Sequence, residues 1–391
     1  MKVRHLKKYS HQFILAGLLI VLVFLLSKNA SDSNSDAPQA RVESKCNELE
    51  TEKRDQCFYE EIRATVKEKG VDAAFNLFAS AYADGATLGC HWTSHLIGDE
   101  AYKLFEQGKK FKITRATSYC GYGFYHGFLE PLLRDNPDPG LAVKFCNEVR
   151  DQLGSEGQDN CFHGIGHGFT EEPPDKNLYG NADAMLKPGL AVCEQLFGNI
   201  SNKWEVCATG VYTVITKFVT EQKYGLTFDK KDAFAFCRTQ PKRYEVACYG
   251  EFAPKLDYIL NWDIKKIIPY LNGIESDYTK EIIIRGAVGA MLQRDVVKPD
   301  LSNYVEGCRA FQGKFANICF KGIVWGFIMH GLPEKEYIKL LDFCNSKPLT
   351  VGERDYCYKE SLDRFYSIYP PTKAQEICGS IRSEYRIYCR G

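Results

Sequence analysis

Histidines and acidic residues recur four positions apart in three segments of the chain. An α-helix turns once in about 3.6 residues, so side chains at this spacing project from one helix face. Neutral imidazoles and carboxylates are common ligands of divalent metal ions in proteins. The sequence therefore predicts a metal site built from helices. The spaced sets are His91–His95–Asp99, His126–Glu130 and His163–His167–Glu171.

Two of these sets share a longer pattern that also contains glycines. On a helical wheel, the glycines, the histidine and the acid fall within an arc of about 120°. A histidine and a carboxylate on a packed face need partners, because leaving them unsatisfied costs roughly 1–3 kcal/mol. A shared metal ion would meet that need, and so would a His–carboxylate network that locks one repeat to the next. The patterns are Cys120-x-x-Gly-x-x-His126-Gly-Phe-Leu-Glu130 and Cys161-x-x-Gly-x-x-His167-Gly-Phe-Thr-Glu171.

The spacing also suggests separate roles for the imidazoles and the acids. Three ligands at steps of four on one helix span about 12 Å, which is too far for one ion. Asp99 and Glu171 are therefore expected as outer partners of the ligands, as ligands of a second metal or as a general base. Glu130 and Glu171 are the expected catalytic residues, which would orient a ligand or move a proton. The expected ion is Zn, Cu, Fe or Mn. The expected metal ligands are His91, His95, His126, His163 and His167.

Three functions are compatible with these residues. The first is an exported, membrane-tethered metalloprotein that acts as a hydrolase or an oxidase. The second is a non-enzymatic extracytoplasmic scaffold that binds a protein or a glycan and uses the histidines only for structure. The third is a metal-free enzyme that acts on glycans through Glu130 and Glu171, whose carboxyl groups would then lie about 5–10 Å apart.

The chain has 16 cysteines in an alternating spacing. Taken in order, the two members of a pair lie 11 to 30 residues apart, and the next pair begins 21 to 60 residues later. This alternation predicts disulfides between nearest neighbours, which an oxidising compartment allows. The predicted pairs are Cys46–Cys57, Cys90–Cys120, Cys146–Cys161, Cys193–Cys207, Cys237–Cys248, Cys308–Cys319, Cys344–Cys357 and Cys378–Cys389.

The cysteine spacing indicates a repeat, and the apolar spacing indicates helices. Val71, Ala74, Phe75, Phe78 and Tyr82 follow the period of one helix face and not the alternation of a strand. One unusually long interval predicts a unit without cysteines around residues 283–289. We therefore predict an all-α fold of tandem, disulfide-stapled helical hairpins that form a solenoid or a closed α/α ring.

The amino terminus has the pattern of an export signal. Lys2, Arg4, Lys7 and Lys8 precede an uninterrupted apolar run over residues 13–26. We predict a signal-anchor over residues 1–26, a flexible polar linker over 27–45 and a helical-repeat domain over 46–391. The protein would then be a single-pass cell-membrane protein with its bulk outside the cytoplasm, or a secreted protein if the signal is cleaved.

Charge and the later repeats complete the sequence-based prediction. Lys plus Arg and Asp plus Glu both number 50, so the net charge is zero, which argues against nucleic-acid binding. Trp325 and Thr213 occupy the histidine position of the glycine pattern in their own segments. We therefore expect a His-rich half over about 46–215 and a scaffold-like half over about 216–391, with His330 near a helix end.

Overall fold

The computed structural model describes residues 44–390, apart from 84–88, 172–174, 199–201 and 296–300. In these residues all regular secondary structure is helical, so the prediction of an all-α fold is confirmed. The predicted signal-anchor over 1–26 and almost all of the linker over 27–45 lie outside the described residues. Within the described part of the chain, no helix has both the length and the apolar character to cross a bilayer.

Sixteen α-helices are described in these residues, joined by short 3-10 segments. They are α1 (Thr51–Lys69), α2 (Val71–Ala83), α3 (Cys90–Glu106), α4 (Tyr119–Asp135), α5 (Pro139–Gly168), α6 (Ala182–Phe197), α7 (Lys203–Thr220), α8 (Ala235–Arg238), α9 (Glu245–Phe252), α10 (Asp257–Leu260), α11 (Asp277–Asp295), α12 (Leu301–Arg309), α13 (Lys314–His330), α14 (Glu336–Cys344), α15 (Val351–Ile368) and α16 (Pro371–Ser380). The 3-10 segments are Lys45–Glu48, Arg115–Ser118, Lys176–Leu178, Lys223–Gly225, Lys242–Tyr244, Ala253–Leu256, Ile264–Leu271 and Ser383–Tyr388.

Local sequence signals explain where several helices begin and end. The Asn181 side chain accepts a hydrogen bond from the backbone at the start of α6, and Thr350 with Glu353 forms a capping box at the start of α15. Gly70 ends α1 with a φ of 90°, a conformation that glycine adopts without a steric penalty. These caps satisfy backbone groups that a helix end leaves unpaired.

All eight disulfides pair as predicted, and none of the cysteines is free. In four cases the bridge joins two consecutive helices into a hairpin: α6 with α7, α8 with α9, α12 with α13, and α14 with α15. Each bridge closes a short loop and lowers the conformational entropy of the unfolded chain. This stabilises the folded state by up to about 3 kcal/mol.

Four bridges depart from this hairpin. Cys46–Cys57 joins a 3-10 segment to α1, and Cys378–Cys389 joins α16 to the residue after the last 3-10 segment. The Cys90–Cys120 loop contains the whole of α3, so this bridge joins the start of α3 to the start of α4. The Cys146–Cys161 bridge lies within α5, which bends at Gly154, where φ is 78°. The two limbs of α5 on either side of Gly154 take the place of two separate helices.

Most helices that contain a second cysteine pack in series, together with α3 and the cysteine-free α11. The order of contacts is α3, α4, α5, α7, α9, α11, α13 and α15. Helix α11 carries no cysteine and lies between α9 and α13, where the sequence places its cysteine-free unit. Helix α13 also contacts α4, so an element late in the chain returns to one of the first.

The early helices approach each other closely through glycine. A Cβ atom on Gly127 of α4 would lie 1.8 Å from the backbone oxygen of His95 on α3. A Cβ atom on Gly210 of α7 would lie 1.9 Å from the backbone oxygen of His163 on α5. No side chain fits at these points, so glycine is required and the histidine-bearing backbones are held together.

Candidate metal centre

Four imidazole rings surround His126 of α4. The ring centroids of His91 and His163 each lie 5.0 Å from that of His126, and the His167 centroid lies 4.4 Å away. His95 is the most distant of the four, at 6.5 Å. The three helices α3, α4 and α5 therefore bring the five histidines singled out from the sequence into one cluster.

Burial keeps much of this cluster uncharged. Loss of water lowers the pKa of His91 to about 4 and that of His163 to about 3. Burial and the neighbouring imidazoles also lower the pKa of His126 far below its ordinary value. These rings are therefore neutral at pH 7, which is the protonation state that binds a metal ion.

Hydrogen bonds decide the tautomers of two of the rings. His91 Nδ1 lies 3.0 Å from the backbone oxygen of Cys120, which can only accept, so Nδ1 carries the proton. The Thr209 hydroxyl donates to the Val206 oxygen and therefore accepts from His163 Nδ1 at 2.7 Å. Both rings thus leave Nε2 with a lone pair, the tautomer that second-shell hydrogen bonds impose on metal-binding histidines.

Glu130 lies between two histidines from different helices. His95 Nε2 of α3 lies 3.1 Å from both carboxylate oxygens of Glu130. His167 Nδ1 of α5 lies 2.6 Å from Glu130 Oε1, but the two atoms are not aligned as a hydrogen bond. Burial raises the pKa of Glu130, and the two histidines more than reverse this effect, so the pKa lies well below its ordinary value. Glu130 is therefore an ionised carboxylate in a largely buried setting.

Glu171 completes a group of three possible ligands. Its Oε2 lies 3.7 Å from His167 Nδ1 and has no hydrogen-bond partner, while its Oε1 accepts from Lys217 Nζ at 2.7 Å. One ligand atom from each of Glu130, His167 and Glu171 lies within 4.8 Å of the other two. This group could hold a metal ion, with the residues arranged differently from the sequence-based expectation.

The donor atoms of this group fit a small divalent ion. Two ligands at about 2.0–2.1 Å from one zinc ion lie at most about 4 Å apart, so the three side chains would need to close only slightly. His167 Nδ1 and Glu171 Oε2 are buried and lack hydrogen-bond partners, a condition that normally costs roughly 1–3 kcal/mol per atom. An ion between them would remove both deficits at once.

His126 cannot share an ion with His167 in the observed arrangement. The two rings are stacked, with planes only 14° apart. A metal lies in the plane of the imidazole that binds it, so two parallel rings cannot direct lone pairs at the same point. The His163 ring is also nearly parallel to that of His126, at 24°. The prediction that five imidazoles are metal ligands remains untested, although the structure places only His167 in the three-residue group.

The stacked His126 has no hydrogen-bond partner at either nitrogen, although it is only 4% exposed. Helices rarely bury an imidazole in this way, because each unsatisfied nitrogen costs free energy. His126 is therefore a neutral ring with two free nitrogens that lies directly against His167.

Several residues of the site were not singled out from the sequence. Thr213, expected to have lost the ligand role of its position, still lies 3.3 Å from His163 Nε2 and donates to Glu251 Oε2 at 2.7 Å. Burial raises the pKa of Glu251. Lys217 pairs with Glu171 from the next helix turn after Thr213. Position 213 in the glycine pattern was a usable signal, but nothing in the sequence marks Glu251.

The surroundings of Asp99 and His330 differ from the sequence-based expectation. Asp99, expected beside the metal site, instead pairs with Lys103 at 2.7 Å on a partly exposed surface of α3. His330 is the last residue of α13, at a helix end as predicted. It is not remote from the cluster, however, because burial and the charge of His91 lower its pKa to about 4.

The two candidate catalytic carboxylates lie close together. One oxygen of Glu130 and one of Glu171 lie within 4.8 Å of each other, with His167 Nδ1 in the same group. Carboxyl groups that cleave a glycosidic bond are about 5–10 Å apart, with the sugar between them. The observed arrangement suits a shared ion better than a bound sugar ring.

Comparison with known proteins identifies no relative of this chain. The chain matches no family model, no curated protein and no solved structure. The site geometry is therefore the basis for any statement about function.

Proposed function

We propose that this protein is an exported metal-binding protein whose ion is held by Glu130, His167 and Glu171. The supporting observation is the convergence of two carboxylates and one imidazole within 4.8 Å, with two of the donor atoms lacking any other partner. A structural His–carboxylate network, the alternative from the sequence, would normally leave such buried atoms satisfied.

The location outside the cytoplasm is part of the proposal. Eight disulfides in one chain are typical of an oxidising compartment. The cationic amino terminus and the apolar run over residues 13–26 supply a signal or a single membrane anchor. The stapled helices would form a tandem array outside the membrane, and the contact between α13 and α4 favours a closed ring over an open solenoid.

The donor set favours hydrolysis over oxidation as the chemistry of the site. Two carboxylates and one imidazole suit zinc or manganese, whereas non-haem iron oxygenases typically use two histidines and one carboxylate. A bound ion would act as a Lewis acid. Lys217 holds Glu171 in place, and His126 stays neutral where it stacks on His167 because burial lowers its pKa.

Metal content and binding test the proposal directly. Full-length protein purified without an affinity tag is expected to contain about one equivalent of metal by elemental analysis. After treatment with a chelator, added Zn²⁺ or Mn²⁺ should raise the thermal unfolding temperature, because ligand binding stabilises the folded state. The variants Glu171→Gln and His167→Ala should each lose this shift.

Asp99→Asn is the matched control, because Asp99 lies on the neighbouring helix α3 and pairs with Lys103 on a partly exposed surface. It should bind metal as the parent protein does. If the purified protein contains no metal and neither ion changes its unfolding temperature, the proposal is wrong. In that case the network alternative predicts that His167→Ala lowers stability equally with and without added ions.

A further inference from the structure

A second site is separate from the candidate metal group. A cavity of about 400 Å³ lies where the early and late helices meet. Its walls come from the start of α4, the middle of α5, and the ends of α13 and α15. A volume of this size is in the range of small-molecule sites. None of Glu130, His167 and Glu171 lines it.

Much of the cavity wall is apolar. Leu153 of α5 and Ile328 and Met329 of α13 contribute side chains, together with the rings of Tyr122 and Tyr369. An apolar wall with a few polar groups is the usual composition of a site for a small organic molecule. The wall therefore favours a ligand with an apolar body over a bare inorganic ion.

Two arginines face this cavity, and they differ in how well they are paired. Arg115 is held by three contacts: its Nε donates to Glu334 at 2.7 Å, its Nη1 donates to the Ile368 oxygen, and its guanidinium lies 4.5 Å above the Tyr369 ring. Arg364 has a buried Nε without a partner, and its Nη2 reaches only Glu156 Oε1, at 3.5 Å. Arg364 thus retains capacity for a further acceptor.

The acidic residues of the cavity do not use up the free N–H donors of Arg364. Glu156 Oε1 already accepts from the Tyr122 hydroxyl at 3.1 Å, and its contact with Arg364 is at the outer limit of a hydrogen bond. Glu336 accepts from the Tyr369 hydroxyl, and burial raises its pKa to about 7. Below neutral pH, Glu336 therefore adds little negative charge that would repel an anion.

The backbone of the cavity wall is also strained. Cys120, Gly121 and Tyr122 have φ values of 57°, 67° and 62°, which place three consecutive residues in the left-handed region. For the two that are not glycine, this conformation costs free energy and persists only where the surroundings enforce it. The turn separates the cavity from His91, whose Nδ1 hydrogen-bonds to the Cys120 oxygen.

We propose that this cavity binds a small organic carboxylate, with the carboxylate on Arg364 and the apolar body against Leu153 and Met329. A guanidinium presents its N–H donors in a planar fork that matches a carboxylate and not a neutral amide. The site is independent of metal binding, because none of its residues belongs to the candidate metal group.

Paired probes of equal shape test the charge requirement. Isothermal titration of the full-length protein with benzoate should give binding in the millimolar range or tighter, whereas benzamide should bind at least tenfold more weakly. Arg364→Gln should reduce benzoate affinity at least tenfold. Arg364→Lys, which retains the charge but not the fork, should reduce it several-fold.

Glu156→Gln gives the sharpest distinction. It removes the carboxylate that contacts Arg364 in the described part of the cavity, so benzoate should bind more tightly. A ligand that used Glu156 as an acceptor would bind more weakly instead. Arg134→Gln, which changes an exposed arginine paired with its neighbour Asp135, is the control and should leave affinity unchanged.

Three results would overturn the proposal: no binding of benzoate, equal affinity for benzoate and benzamide, or unchanged affinity in Arg364→Gln. Thermal unfolding of each variant shows whether it is folded. If Arg364→Gln does not fold, the comparison of Arg364→Lys with Glu156→Gln decides the result, because these changes are expected to shift affinity in opposite directions.

Discussion

Two helix pairs, one from each half of the protein, use the same glycine pattern at different distances. In the first half, a Cβ atom on Gly127 would lie 1.8 Å from the backbone oxygen of His95. In the second half, a Cβ atom on Gly326, which occupies the same place in the pattern, would lie 2.8 Å from the backbone oxygen of Gly289. Helices α3 and α4 are therefore closer at this point than α11 and α13, whereas a Cβ atom on Gly168 of α5, at the same place in the pattern, would lie 3.0 Å from the backbone oxygen of Leu129.

The two helix pairs also differ in the side chain that precedes the glycine. In α4 this residue is His126, whose small ring stacks on His167. In α13 it is Trp325, whose ring would lie 2.2 Å from a Cβ atom on Gly289 and so fills the space between α11 and α13. A large apolar ring satisfies its own packing, whereas a cluster of imidazoles needs close helices and polar partners. The comparison shows that one packing pattern supports either a filled core or a polar site.

The glycine series gives the largest expected effect and tests the difference directly. Gly127→Ala should destabilise the protein by more than about 3 kcal/mol, because rigid backbone atoms block the new methyl group. Gly326→Ala should cost about 1–3 kcal/mol. Gly286→Ala, where the nearest atom is a side-chain carbon at 3.4 Å, should be neutral or stabilising by up to about 1 kcal/mol. Urea unfolding measures all three, and equal losses for Gly127→Ala and Gly326→Ala would contradict the comparison.

The second prediction concerns the junction of the two halves, where Glu336 is buried beside Tyr369, Arg115 and Glu334. Burial raises the pKa of Glu336 from 4.5 to about 7. The folded state therefore keeps a proton that the unfolded state loses, so stability falls as the pH rises from about 4.5 to 7. The loss is about 3 kcal/mol for a shift of this size.

Unfolding free energies at pH 5 and pH 8 measure this effect in the parent protein and in Glu336→Gln. The variant should lack most of the decline between the two pH values. Asp99→Asn, which changes a partly exposed carboxylate, should keep it. A decline of equal size in Glu336→Gln would show that another group is responsible.

The smallest expected effect comes from the histidine at the centre of the cluster. Both nitrogens of His126 are buried without partners, and each such atom carries a desolvation cost. In chelator-treated protein, His126→Leu should therefore raise the free energy of unfolding by about 1–2 kcal/mol. Trp325→Leu in the second half should lower it, because it empties a filled space. If His126→Leu is destabilising by a similar amount, then His126 has polar partners in solution.

Much of the fold was predictable from the sequence because its signals are local. The short loops between neighbouring cysteines allow nearest-neighbour disulfides, and the apolar period of residues such as Val71 and Phe75 allows only helices. Two of the departures from a simple helical hairpin occur in the two longest disulfide loops. Nothing in the cysteine spacing shows that the Cys90–Cys120 loop contains a complete helix or that α5 bends at Gly154.

The site was predictable in composition but not in geometry. The spacing of four brought His126, His167 and Glu130 to notice, and the structure places them together. The stacking of His126 on His167 depends on the distance between helices, which the sequence does not encode locally. The cavity at Arg115 and Arg364 is formed by residues far apart in the chain, and no motif connects them.

The contact between α13 and α4 has a consequence for how such a protein can change over evolutionary time. A stack with free ends can gain or lose a member at either end with little effect on the rest. Here Arg115 and Tyr119 bind Glu334, so removing the late segment that carries Glu334 would expose an early surface and break part-buried contacts. Variation in length should therefore be tolerated best in the exposed connections between helices.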